Sequence, residues 1–146
     1  MAEATLVSPT LLIALLRFAH ALTQYPIPET LPTVHLVPQS VLQEKAREFC
    51  NGRCRVFGWY PLGEEIYFDE SQDLEHDVWA QSKLLHELVH WLQHHASPVN
   101  DCPTKLKREA EAYRGQDTFL TRRSLSPTWG ARLLRNATCS DASASQ

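Results

Sequence analysis

"LLHELVHWLQHH", residues 84–95, is the stretch on which the fold turns. Leu84, Leu85, Leu88, Val89, Trp91 and Leu92 recur at helical spacing, and the pattern predicts a helix beginning near Glu75–Val78 and ending before Pro98. Within it, His86-Glu87-Leu88-Val89-His90 fits H-E-x-x-H. Residues i and i+4 lie one turn apart on the same face, so the two imidazoles can converge on one ion, and Glu87 can lean toward a water at that ion. Burying two imidazoles beside so apolar a flank costs free energy unless both find partners. A zinc ion would supply them; a pair of hydrogen-bonded core histidines is the other reading. His94 also lies four residues beyond His90. Eight residues of helix rise about 12 Å, whereas zinc–nitrogen bonds are about 2 Å, so His86 and His94 cannot share an ion. His94 and His95 are expected at the solvated C-terminal end, where a cationic imidazole suits the helix dipole. A third ligand has to come from elsewhere.

Downstream, "KLKREAEAYRGQDTFLTRR" predicts a second long helix with Thr104 as its candidate N-cap, and it carries Glu109 and Glu111. "HELVH" followed by "EAEA" resembles the gluzincin group of zinc peptidases, in which a glutamate on the next helix completes the metal site. Glu109 to Ala112 fits that group's E-x-x-A pattern. The resemblance therefore implies Zn²⁺ held by His86, His90 and Glu109, with Glu111 as the alternative; two residues apart on a helix, the two carboxylates point different ways. It implies a general base at Glu87 and a peptide or protein substrate. "EEIYFDE", residues 64–70, would be the edge strand against which such enzymes lay an extended peptide. Tyr113, four residues beyond Glu109 on the same face, is a candidate donor to an oxyanion, or else a packed aromatic. The resemblance spans about residues 64–116. The preceding half is similar only loosely to small uncharacterised H-E-x-x-H domains of bacteria. No G-x-x-H follows the motif and no Asn precedes Glu109, so no subfamily is indicated.

The remaining elements predict an α+β fold of the zincin-like kind, with a small antiparallel or mixed sheet packed on the motif helix and the ligand-bearing helix. "LVSPTLLIALL", residues 6–16, is too short to span a bilayer and contains Pro9. It lacks the basic start of a secretion signal, although "AHA" at 19–21 mimics a cleavage site. Ser8 as N-cap and Pro9 at the first helical position favour a folded helix. "TVHLVP" predicts a strand. "SVLQEKAREFC" predicts a helix over about 41–50, with Ser40 and Gln43 in capping-box register. "CRVFGWYP" and "EEIYFDE", separated by Pro61-Leu62-Gly63, predict a hairpin. A short last helix runs from Ser126-Pro127 to about Asn136. Residues 1–138 thus form one domain, and 139–146 a polar, disordered tail.

The chain has 146 residues, 43% apolar and 21% charged, with a formal charge of −3, which gives no electrostatic reason to expect nucleic acid. Charge is uneven. Glu64 to Asp77 holds seven carboxylates and no Lys or Arg, whereas Lys105 to Arg135 holds eight basic residues against three acidic ones. This reads as complementary faces of one fold or as a field that steers substrate. Cys50 and Cys54 bracket "NGR" and could close a small disulfide ring. With Cys102 and Cys139 the cysteines can be disulfides, free thiols or a metal knuckle, and disulfides would place the protein in a periplasm or outside the cell rather than in the cytoplasm. Two further functional readings differ in kind from a peptidase. One is a non-catalytic, zinc-stabilised binding module with a vestigial H-E-x-x-H helix; the other is a metal-free, histidine-rich interaction helix. Neither oligomeric state nor cleavage preference can be read from the sequence.

Overall fold

Ser8 and Pro9 start the first long helix where the sequence places it. In the computed structural model, which describes residues 5–50 and 54–139, α1 (Pro9–Thr23) has Ser8 as its N-cap, the hydroxyl accepting from the Leu11 N–H at 3.3 Å. A two-residue strand before it, β1 (Thr5–Leu6), pairs antiparallel with β2 (Thr33–Val37), Thr5 opposite Leu36.

The helix expected over 41–50 is split. α2 (Gln39–Lys45) ends at Ala46, and α3 (Arg47–Cys50) adds a single turn. The expected capping box does not form. The helix begins at Gln39, so Ser40 already lies inside the first turn, and Pro38 is the N-cap with no side-chain bond. Gln43 donates instead to the Cys54 carbonyl at 3.2 Å. Gln39 exchanges both its amide groups with the Val56 backbone, at 2.8 and 2.7 Å, and pins the next segment to the helix.

β3 (Gly58–Trp59) and β4 (Glu65–Asp69) form the expected hairpin, Trp59 opposite Tyr67. β4 also pairs in parallel with β2, Val34 opposite Ile66, and the sheet order is β1-β2-β4-β3. The sheet is therefore small and mixed. "EEIYFDE" is consequently an interior strand rather than the edge, because β2 covers its second side. The edge facing the long helices is β3.

α4 (Val78–Ala96) is the motif helix, capped by Asp77, whose carboxylate accepts from the Trp79 N–H at 2.9 Å. Its apolar residues surround most of the cylinder because three layers meet on it. α1 contributes Leu12, Leu15, Leu16 and Ala19; the sheet contributes Val34, Ile66 and Phe68; α5 (Cys102–Thr121) contributes Ala112 and Phe119. Burial on this scale, about 25 cal/mol per Å² of apolar surface, fixes the rotation of α4 and so the direction in which its histidines point.

α5 begins ahead of the expected cap. Asp101, not Thr104, is the N-cap and accepts from the Thr104 N–H at 2.9 Å. Its first residue, Cys102, is disulfide-bonded to Cys139, which ties the start of the polar tail to the head of this helix. Cys54 is also disulfide-bonded. The expected Cys50–Cys54 ring involves the side chain of Cys50, which lies outside what is described, as do residues 140–146 of the tail. The last helix, α6 (Gly130–Leu133), is shorter than expected. Among the described residues no helix is long and apolar enough to cross a membrane.

Candidate metal centre

α4 and α5 pack against each other, and each presents three polar residues at i, i+4 and i+7 spacing: His86, His90 and Gln93 on one, Glu109, Tyr113 and Gln116 on the other. The crossing brings three of these to a point. His86 Nε2 lies 2.6 Å from Glu109 Oε1, His90 Nε2 lies 3.3 Å from Glu109 Oε2, and the two Nε2 atoms are 3.2 Å apart. One ligand atom from each of His86, His90 and Glu109 falls within 4.8 Å of the others, so this group could hold a metal ion.

The far side of each imidazole decides what its Nε2 can do. His86 Nδ1 is 3.1 Å from Gln116 Oε1, and His90 Nδ1 is 2.8 Å from Gln93 Oε1. Both glutamines are oriented by their own amide donors. Gln116 donates to Ser82 Oγ at 3.2 Å, and Ser82 donates to the Trp79 carbonyl at 2.7 Å. Gln93 donates to the Arg108 carbonyl and to Glu111 Oε1, each at 2.9 Å. The oxygens therefore accept and each Nδ1 donates, so that either ring, when neutral, turns the Nε2 lone pair inward. Two lone pairs and a carboxylate facing one another at these distances require a cation between them or extra protons. A divalent metal satisfies all three at once, and zinc accepts this donor set.

Electrostatics agrees with that demand. For His90, burial acts to lower the pKa, but hydrogen bonding to Glu109 and the charges of Glu87 and Glu109 outweigh it and raise it to about 9. For Glu109, burial acts upward, yet the hydrogen bonds from His86 and His90 hold its carboxyl far below the usual carboxylate range.

Glu111 is not part of the group. Its carboxylate accepts from Tyr25 at 2.7 Å and from Gln93, so it braces the partner of His90. Of the two candidate glutamates, it is Glu109 that the fold brings to the histidines. His94 departs from expectation: it is half-buried beside Tyr60, with Nδ1 occluded and unpartnered. His95 alone occupies the exposed end, paired with Glu64 at 2.8 Å.

Glu87 lines two cavities that flank the centre, of about 210 and 280 Å³. The second also meets His86, Tyr113, Gln116 and the edge strand at Gly58. Tyr113 stands edge-on to the His86 ring, centroids 4.6 Å apart. The ring also packs against Gly130, where any Cβ would overlap it. Burial, then the charges of Glu109 and Glu87, raise the pKa of its hydroxyl.

Sequence reasoning missed Gln93 and Gln116. Their spacing was the available signal, since each lies seven residues beyond the first ligand of its own helix. A family model described as a domain of unknown function (DUF6647) matches residues 4–143. No curated protein and no solved structure matches the chain.

Proposed function

The chain belongs to the DUF6647 family, and for it we propose a zinc-dependent peptidase activity on a zincin-like fold. The observation that carries this reading is the convergence of His86, His90 and Glu109 beside a glutamate, Glu87, that faces open space on both sides. A site serving only to staple the fold needs no such carboxylate.

His86, His90 and Glu109 would hold the Zn²⁺. Bound there, the ion supplies Lewis acidity, lowering the pKa of water and polarising a carbonyl. Glu87 takes the proton of the attacking water and delivers it to the leaving amine. Gln116 and Gln93 keep the two imidazoles in the tautomer that leaves Nε2 free to ligate. The Tyr113 hydroxyl, still protonated at neutral pH, is available to donate to a developing oxyanion. The outer edge of β3 offers main-chain groups to an extended peptide. The disulfides suit an oxidising compartment, periplasmic or extracellular.

Metal content of the purified chain and cleavage of a mixed peptide library, with and without chelator, test the proposal. Stoichiometric zinc and chelator-sensitive cleavage that disappears in Glu87→Gln are expected. Zinc without cleavage would make the chain a zinc-stabilised binding module, and failure to bind zinc would remove the metal reading altogether.

A further inference from the structure

The smaller cavity beside His90 and Glu109, between the second half of α4 and the first turns of α5, is walled by Tyr60, His94, Asn100, Lys105 and Arg108. Neither of its two cations forms an ion pair with a carboxylate among the described residues. Glu87 also lines it but lies beyond 4.0 Å of either cation, while of the other carboxylates around it Glu109 is engaged with the two histidines, Asp101 with the Thr104 N–H, and Glu111 with Tyr25 and Gln93. Lys105 has no carboxylate within 4.0 Å among the described residues. Arg108 donates through Nη2 to the Ser97 carbonyl at 2.8 Å, which leaves further donors of its guanidinium for a ligand. The occluded Nδ1 of His94 leaves Nε2 as the nitrogen of that ring able to meet a guest.

The cavity across Glu87 differs. Its cation, Lys83, lies 3.5 Å over the Phe57 ring and is already partnered by it. The two sides of the base are therefore unequal: one presents unpaired cations with amide and imidazole donors, the other an aromatic-covered lysine and a tyrosine.

Resting on the peptidase reading, we infer that the cavity lined by Lys105 and Arg108 is a subsite for a carboxylate of the substrate. The carboxylate is an acidic side chain or the terminal carboxylate of a peptide held across Glu87. A neutral group there would leave Lys105, and the Arg108 donors not bound to the Ser97 carbonyl, without an ionic partner. A carboxylate accepts from the guanidinium and the ammonium together, and charge-assisted hydrogen bonds are the strong ones.

The test uses chemical-shift titration of the full-length Glu87→Gln chain, zinc-saturated and metal-free, so that no turnover is needed. The probes are N-acetylglutamate α-amide (side-chain acid only), N-acetylglutamine (terminal acid only) and N-acetylglutaminamide (no acid). At least one acid should bind about tenfold more tightly than the neutral probe, and the tighter acid names the source of the carboxylate. Lys105→Glu should abolish that preference, and Lys83→Glu should leave it within about twofold. Equal binding of all three probes would overturn the inference. So would a preference that follows Lys83 instead, or one untouched by either substitution, which would place the acid on the metal itself. Binding is read separately from cleavage, so an inactive but acid-selective protein would count against the peptidase and for the subsite.

Discussion

Gln116 and His86, on different helices, meet through Oε1 and Nδ1 at 3.1 Å, and that contact sets which nitrogen of the histidine faces the candidate metal centre. Gln116→Leu keeps the approximate shape, removes the acceptor and leaves a buried N–H without a partner. A cost of about 1–3 kcal/mol is expected, and zinc affinity should fall about 10–100-fold because the ring can rotate or change tautomer. Chelator competition gives the affinity and thermal melting gives the stability. Unchanged affinity would mean that helix packing alone orients His86.

The parts legible in sequence were those written in a local period. The 3.6-residue recurrence of Leu84, Leu88 and Leu92 marks α4, and the i, i+4 spacing sets His86 and His90 on one face; Glu109 was picked out by the resemblance to the gluzincin group rather than by any local period. What escaped was written across the chain. A glutamine on a helix reads as a solvated residue, and only the crossing of α4 and α5 turns Gln116 into the partner of His86. The alternation in "EEIYFDE" announces a strand but not its neighbours, so the parallel pairing of β4 with β2 that makes it interior was invisible. Hairpin chemistry reports adjacent strands, whereas parallel pairing depends on a distant segment. At α2 a local rule misled: Ser40 and Gln43 have capping-box spacing, but Gln39 is needed to bond Val56, and the helix starts there.

The His90–Glu109 pair makes stability depend on pH and metal together. In metal-free protein His90 holds its proton up to about 9, against an ordinary value of 6.5. Its contribution to stability is therefore complete below about 6.5 and is lost as the pH rises through about 9. Glu109 has the opposite sign: its depressed pKa contributes above the ordinary value of 4.5, a contribution lost only well into acid. The melting temperature of chelated protein should accordingly fall between pH 6.5 and 9, while that of zinc-saturated protein should not follow, because metal replaces the proton. Zinc affinity should rise in the same window, by up to about tenfold per pH unit for one displaced proton. A pH-independent melting temperature without zinc would contradict the assigned pair.

The Cys102–Cys139 disulfide joins residues 37 apart and fastens the chain after α6 to the head of α5. Closing a loop of that length stabilises by about 4 kcal/mol on a chain-entropy account. Cys139→Ser should lower the melting temperature by several degrees under oxidising conditions and abolish most of the effect of reductant at this end of the chain. His86, His90 and Glu109 lie on α4 and α5 within the core, so zinc stoichiometry should survive at temperatures where the variant is folded. A reductant-insensitive melt of the parent chain would show that the bridge contributes little.

Gly58, on the edge strand, lies beside the proposed base. A Cβ there would stand 3.1 Å from Phe68 Cδ2 and 3.3 Å from Glu87 Cγ. Phe68 is fully buried and has little room to yield, so the bulk would be transmitted mainly to the Glu87 side chain. Gly58→Val is expected to cost about 1–3 kcal/mol by overpacking. It should also depress peptide turnover more than its stability loss explains, because Glu87 is displaced. Zinc affinity should stay near that of the parent chain, since the three candidate ligands lie on α4 and α5 and the added bulk meets Phe68 and Glu87. Gly58→Ala, which needs a shift of only a few tenths of an ångström, should recover most of the turnover. Turnover unchanged in a folded Gly58→Val protein would separate the edge strand from the catalytic role assigned to Glu87.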